Sequence, residues 1–227
     1  MAVEHTFDRR VSNNLTEKRN IGEATAELIS DGSTVLIFIG STLPSVAREL
    51  RHRKDLTVIT NNLRVVMTLS DEMTNRIILP VGKLRLPVCD ILAEEGLVFL
   101  NCYRAKFCVF DSAGVAEDGS LLEFPAAEAR VRERIIAKSL RLILVVDHSK
   151  FGCLTPAVSE NIGDFETVIL DRLPNQNFAL IVERLYYELT LTDDLSPGGL
   201  STLAPTKNRT KLSGEKMSEN TKPVRCK

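Results

Sequence analysis

The chain has 227 residues, 44% hydrophobic and 26% charged, enough apolar content for one sizeable core. Its 29 Lys and Arg against 30 Asp and Glu leave a formal net charge of -1, which excludes a global positive field drawing it onto nucleic acid or an anionic membrane. No apolar run approaches the roughly twenty residues of a membrane-spanning helix. Met1 to Arg10, with Glu4, Asp8, Arg9 and Arg10, lacks a secretory apolar stretch, so a cytoplasmic chain without membrane contact is expected. Cys89, Cys102, Cys108, Cys153 and Cys226 are odd in number and widely spaced, and the histidines are His5, His52 and His148. That pattern predicts reduced thiols, no metal site and no cofactor, with Cys102 and Cys108 serving as small apolar residues in packed elements.

In chain order, Ile21, Ala24, Leu28 and Ile29 fall at helical spacing, predicting a helix from Thr16 to about Ser30 that Asp31-Gly32 ends. Thr34 to Ile39 is an unbroken apolar or β-branched run, the mark of a strand buried on both faces. Gly40-Ser41-Thr42 follows, and Pro44 opens a helix carrying Val46, Ala47 and Leu50. The unit repeats: a strand at Leu56 to Thr60, a capping loop at Asn61-Asn62, and a helix with Leu63, Val66, Met67 and Leu69. Arg76 to Val81 is a third strand, leading to Gly82-Lys83-Leu84-Arg85 and then a helix around Asp90 to Leu100. Lys106 to Asp111 is a fourth strand, followed by Ser112-Ala113-Gly114, a loop with Asp118-Gly119, and the most helical segment, Ala126 to Ser139. Arg141 to Asp147 and Thr167 to Leu170 are the fifth and sixth strands, and Phe178, Ile181, Val182 and Leu185 give a last amphipathic helix. The alternation predicts an α/β fold: a mostly parallel sheet with helices on both faces, whose strand order the sequence does not reveal.

Three regions are expected: a linker over 1–14, one α/β domain over 15–192, and a disordered basic tail over 193–227. The last begins near Ser196-Pro-Gly-Gly199 and carries seven basic against two acidic residues from Ala204 onward, with no apolar periodicity.

Ligands of open α/β sheets collect beyond the C-terminal strand ends. Gly40-Ser41-Thr42 offers close approach, two hydroxyls and the free N–H groups of a helix start, which suit a phosphate, although Ser and Thr are also ordinary helix caps. Thr60-Asn61-Asn62 shares that ambiguity. Lys150 follows the fifth strand, where a cation faces the same zone; Lys83 and Arg85 are weaker candidates, and Glu128 lies in the first turns of a helix that can point at the same edge.

Read together, Glu17-Lys18, Asp31-Gly32, Gly40-Ser41-Thr42, Thr60-Asn61, Gly82 to Arg85, Glu128 to Arg132 and Asp147-His148-Ser149-Lys150-Phe151-Gly152 resemble the effector-sensing domain of DeoR-type bacterial transcriptional regulators. The resemblance spans about Phe7 to Leu189. It implies a fold shared with ribose-5-phosphate isomerase and CoA-transferase-like proteins, and a phosphorylated small-molecule effector, typically a sugar phosphate. It places Gly40, Ser41, Thr42, Thr60, Asn61, Arg85, Glu128 and Lys150 around that effector, with no catalytic residue. It also implies a homo-oligomer that contacts DNA only through a winged helix-turn-helix, which Met1 to Asn14 is too short to supply. Three positions depart from the family pattern: Phe38 and Ala113 stand where acids are usual, and Val81 precedes Gly82 in place of a glycine. The alternative is a sugar-phosphate isomerase-like enzyme, with Glu133 as general base and Lys150 stabilising enediolate charge.

Overall fold

Alternate side chains of strand β1, Thr34–Ile37, enter two different cores. Val35 and Ile37 join one cluster with Ile21, Val46 and Leu50; Leu36, with Phe38 just beyond the strand, joins another with Val131, Ile135 and Phe165. Strands β6 (Ala105–Phe110) and β9 (Ser139–Val146) divide their side chains the same way, Phe107, Val109, Ile143 and Val145 against Cys108, Phe110, Leu144 and Val146. A strand covered on both faces has no polar side to present to water, which is why these segments read as continuous apolar runs. Each fully buried Val, Leu, Ile or Phe contributes roughly 1.5–3 kcal/mol of transfer free energy.

A computed structural model describes residues 7–38, 40–86, 88–91, 95–124, 126–174, 178, 181, 188–192 and 201–203. Among these, helices α1 (Phe7–Ser12), α2 (Leu15–Leu28), α3 (Leu43–Leu50), α4 (Leu63–Leu69) and α5 (Ala126–Ile136) accompany the main sheet. Its remaining strands are β2 (Thr57–Ile59), β3 (Arg76–Ile78), β11 (Thr167–Leu170), β12 (Glu188–Leu191) and β13 (Ser201–Leu203), in the order β13-β12-β11-β9-β6-β1-β2-β3. All neighbours are parallel except β12 and β13. After β1 the chain moves outward through β2 and β3, then returns to the other side of β1 with β6. The resulting switch point between β1 and β6 is where an open sheet leaves a crevice. Helices α2 and α3 cross closely because residue 22 is glycine: a Cβ there would lie 2.7 Å from the Ser45 carbonyl oxygen.

Two smaller sheets sit at the strand ends. One is antiparallel, with β7 (Gly114–Val115), β8 (Ser120–Glu123) and β10 (Ala157–Asn161) in the order β10-β8-β7; the other is the hairpin of β4 (Leu84–Arg85) and β5 (Asp90–Ile91). Asp118-Gly119, expected as a loop, is the β7–β8 turn, where Gly119 has a φ of 85°.

Several expectations are corrected. The helix expected around Asp90 is instead β5 followed by a 3-10 helix over Glu95–Cys102. Local propensity yields there to tertiary pairing: the Asp90 carboxylate is buried against Arg85, and the Ile91 N–H donates to the Asn61 carbonyl at 2.9 Å. The segment expected as a linker over 1–14 contains α1, whose Phe7 is 4% exposed. Within the span expected as a disordered tail, Ser201–Leu203 pairs with β12 through main-chain bonds that need no apolar periodicity; the rest of 193–227 lies outside the described residues. Of the last expected helix, Phe178 and Ile181 are helical, while Val182 and Leu185 lie outside the described residues. Cys108 is buried on β6, but Cys102 is exposed. Among the described residues no helix is long and apolar enough to cross a membrane.

Candidate functional site

The loop after β1 is held against the loop after β6 by one carboxylate. Asp111 accepts from the Thr42 N–H through Oδ2 and from the Ser112 N–H through Oδ1, both at 2.8 Å, and the Ser41 hydroxyl donates to the same Oδ2 at 3.4 Å. The approach leaves no room for a side chain at residue 40, since a Cβ on Gly40 would lie 2.3 Å from the Asp111 Cβ. Thr42 Oγ1 is buried without a hydrogen-bond partner among the described residues.

Two ammonium groups converge on the Ser41 hydroxyl. Lys150 Nζ and Lys18 Nζ each donate to Ser41 Oγ at 3.4 Å, from side chains in residues only 7% and 1% exposed. Burial pushes the Lys18 ammonium below its ordinary pKa and Lys150 adds to the effect, while Asp111 and Asp147 oppose it. Lys150 is delivered by the turn after β9, where Asp147 caps His148–Lys150 by accepting from the Ser149 N–H at 3.0 Å. Burial works against the Asp147 charge, yet the Ser149 side chain, both ammoniums and the Asn14 amide hold its carboxyl below the usual range. His148 braces this turn: its ring and its N–H both engage Asp171, which is fully buried after β11.

The opposite wall is acidic. Arg85 spans from Asp90, at 2.6 and 2.7 Å, to Glu128 at 2.7 Å, so the β4–β5 hairpin is tied to the start of α5. Burial lifts the Glu128 pKa, with Asp90 adding and Arg85 opposing. Behind it Arg132, 3% exposed, binds Glu123 at 3.0 Å, Glu160 at 2.7 Å and the Asp111 carbonyl at 2.6 Å. Burial pushes Glu123 up to about 8, because one guanidinium shared by two carboxylates does not cover both charges in a dry site.

These walls enclose a cavity of about 20 Å³ bordered by Gly40, Ser41, Glu123, Glu128 and Lys150, with Phe7 and Arg10 of α1 closing it. A neighbouring cavity of about 270 Å³ shares Arg10, Ala113 and Lys150 and adds Lys18, Asp147 and Ser149. Of the residues singled out from sequence, Gly40, Ser41, Glu128 and Lys150 thus meet at one place. Thr42 is anchored just behind it, and Arg85 reaches it through Glu128. Thr60 and Asn61 do not border either cavity. The Thr60 N–H donates to the Ile78 carbonyl of β3 at 3.0 Å, and Asn61 Nδ2 donates to the Ile91 carbonyl at 3.1 Å, so Asn61 fixes the hairpin carrying Arg85, while its Oδ1 is buried without a partner among the described residues. Lys83 and Glu133 are exposed, Glu133 on α5 away from both cavities. Phe38, at a position where the family favours an acid, is core.

Sequence reasoning missed Lys18, Asp111, Asp147, Glu123, Phe7 and Arg10 as site residues. Lys18 carried a signal, since it falls on the buried stripe of α2 with Ile21, Gly22 and Thr25, where a lysine needs partners. Asp111 and Asp147 each end an apolar strand at the ligand edge. Nothing local marks Phe7, Arg10 or Glu123.

The family of DeoR C terminal sensor domains matches residues 13–172. The glycerol-3-phosphate regulon repressor of Escherichia coli (strain K12) is 36% identical over 190 residues, covering 84% of this chain and 75% of the relative. The HTH-type transcriptional repressor GlcR of Bacillus subtilis (strain 168) is 28% identical over 188 residues, 83% and 72% of the respective lengths. Among solved structures, ribose 5-phosphate isomerase A from Neisseria gonorrhoeae aligns over 61% of this chain and 53% of its own, with 12% identity and a TM-score of 0.43.

Proposed function

The chain belongs to the family of DeoR C terminal sensor domains, and on that premise we propose that it senses a phosphorylated small metabolite, a sugar or polyol phosphate. The observation that carries this reading is the convergence of the buried Lys18 and Lys150 ammoniums on Ser41, at the start of α3. Buried cations that are not fully paired are costly in a free protein and suit a phosphate dianion. Glu123 and Glu128 across the cavity offer acceptors for the ligand's hydroxyls. In this reading Gly40, Ser41, Thr42 and Lys150 hold the phosphate, Arg85 and Glu128 shape the hydroxyl end, and Thr60 and Asn61 act at one remove, Asn61 by fixing the hairpin.

The proposed output is regulatory rather than catalytic, by linkage between effector affinity and DNA affinity, with DNA contact assigned to a separate helix-turn-helix domain of a cytoplasmic homo-oligomer. The exposed position of Glu133 disfavours the isomerase alternative, because a base that does not reach the cavity cannot move a substrate proton. The test is a thermal-shift panel of sugar and polyol phosphates, glycerol 3-phosphate among them, against the wild type and Lys150→Met. A true effector at one hundred times its dissociation constant adds about 2.7 kcal/mol of stability. That stabilisation is expected to vanish in Lys150→Met. Equal stabilisation of both proteins, or by the dephosphorylated compounds, refutes the assignment.

A further inference from the structure

Helix α1 enters the site that it was expected merely to precede. Phe7 and Arg10 border the small cavity beside Ser41 and Lys150, and Arg10, with Ala113 and Lys150, also borders the larger one. The Arg10 guanidinium lies over the rings of Phe7 and Phe124, at 5.3 and 5.1 Å, and its Nε is buried without a hydrogen-bond partner among the described residues. The Arg10 carbonyl accepts from the Lys18 ammonium, occupying a donor that points into the site. Asn14, left-handed with a φ of 55°, joins α1 to α2 and donates to Asp147 at 3.0 Å and to Ser149 at 3.1 Å, inside the turn that delivers Lys150.

We infer that α1 is an intramolecular competitor of the ligand: docked, it fills part of the ligand's volume, and the ligand displaces it. This rests on the phosphorylated-metabolite reading above. A space of about 20 Å³ admits roughly one water, so a phosphate with its carbon chain needs the volume that Phe7 and Arg10 hold. Undocking α1 vacates the volume of Arg10 beside the 270 Å³ cavity that it also borders and frees the Lys18 hydrogen for the anion. The helix can leave. Its six residues are far fewer than an isolated helix needs in water, so it is helical because it is docked, and its one fully docked side chain is Phe7. The exposed Asp8–Arg64 pair adds little. Ligand occupancy is thereby converted into the position of the chain preceding Asn14, through the same Asn14 contacts that tie it to the Lys150 turn.

The sign of the effect separates a competitor from a clamp. Glycerol 3-phosphate and inorganic phosphate would be titrated calorimetrically into the wild type, Phe7→Ala and Lys150→Met, with amide exchange of residues 8–13 followed in the wild type. Weakening the docked state raises the open population, so Phe7→Ala is expected to bind about tenfold more tightly. Ligand is expected to speed exchange in α1. Unchanged or weaker binding by Phe7→Ala, or slower α1 exchange on addition of ligand, overturns the competitor. Should Phe7→Ala fail to fold, Asp8→Ala, which loses only an exposed ion pair, is expected to tighten binding slightly, and weakening there overturns the inference equally. Failure of the site reading looks different: Lys150→Met then binds as the wild type does. Absence of binding in all three proteins overturns both.

Discussion

Replacing Gly40 by alanine tests the geometry on which the site depends. The added methyl would lie 2.3 Å from the Asp111 Cβ and 2.9 Å from its Oδ2. Carbon atoms in ordinary contact sit about 3.5–4.0 Å apart, so more than an ångström must be found. Asp111 has little freedom to supply it, being 1% exposed with both carboxylate oxygens held by main-chain N–H groups at 2.8 Å. If the contact is borne as overpacking, it costs about 1–3 kcal/mol. If the loop moves away instead, the Thr42 N–H loses a charged acceptor, about 1.5–3 kcal/mol. The two routes are alternatives more than addends, so Gly40→Ala is expected to cost about 2–4 kcal/mol and to lower the melting temperature by roughly 5–15 °C in a domain of this size. Urea unfolding measures the first quantity directly. An Asp111→Gly background supplies the control, because without that Cβ the alanine methyl has space and only the strain of the 155° φ at residue 40 remains, so the cost is expected to fall by about 1–3 kcal/mol. A cost under about 1 kcal/mol in the wild-type background, or the same cost in both, refutes the wedged-loop account.

Two further outcomes follow from buried charge and exposed apolar surface. Glu123 is held protonated up to about pH 8 in the folded protein, whereas its ordinary value is 4.5. The folded state therefore binds more protons than the unfolded one between those limits, and stability is lost as pH rises through them. Glu123→Gln removes that slope, gaining up to a few kcal/mol (roughly 5 at most) relative to the wild type near pH 9; parallel pH profiles of urea midpoint for the two proteins contradict it. Separately, Leu79, Val81, Leu84 and Leu86 are exposed beside the edge strand β3, which supports self-association. Sedimentation at micromolar concentration is expected to show a dimer or larger species that Leu86→Lys weakens, and a monomer alone defeats the proposal.

The central strands were readable because each is buried on both faces, so β1, β6 and β9 carry uninterrupted apolar runs, and Thr167–Leu170 was placed to the residue. The glycine and hydroxyls after β1 and the cation after β9 were readable for a related reason, since a parallel sheet puts every such loop at one edge. What the sequence withheld is pairing between distant segments. Asp111 stitches two loops only because β6 lies beside β1, a neighbour relation with no local signature. Asp90 falls in a segment of helical appearance and became a strand because Arg85 and Asn61 claim its neighbourhood. Phe7 looked like linker because one aromatic residue has no periodicity, and its burial depends on the Arg10 and Arg64 guanidiniums that lie over its ring. Thr60 and Asn61 show the converse: polar residues at the right edge whose hydrogen bonds run to the scaffold, with Asn61 Oδ1 left buried and unpartnered among the described residues.

The balance of charge at Ser41 favours reading this arrangement as an anion site over a purely stabilising network. Two ammoniums within 3.4 Å of one hydroxyl oxygen are no more than about 7 Å apart, and at an effective dielectric near 20 they repel by roughly 2 kcal/mol. Asp111 and Asp147 offset that repulsion, but both Asp111 oxygens are held by Thr42 and Ser112 and Asp147 Oδ1 by Ser149 and Asn14, while Asp147 Oδ2 is buried without a hydrogen-bond partner among the described residues. The folded chain tolerates the mismatch by lowering the Lys18 pKa and by lending its ammonium to the Arg10 carbonyl. In the proposed reading, an arriving phosphate dianion opposes both adjustments, favouring the charged form of Lys18 and leaving the Arg10 carbonyl without its donor. The bond that favours binding and the contact that loosens α1 are, in that reading, one hydrogen bond changing partner, which couples occupancy to the N-terminal segment.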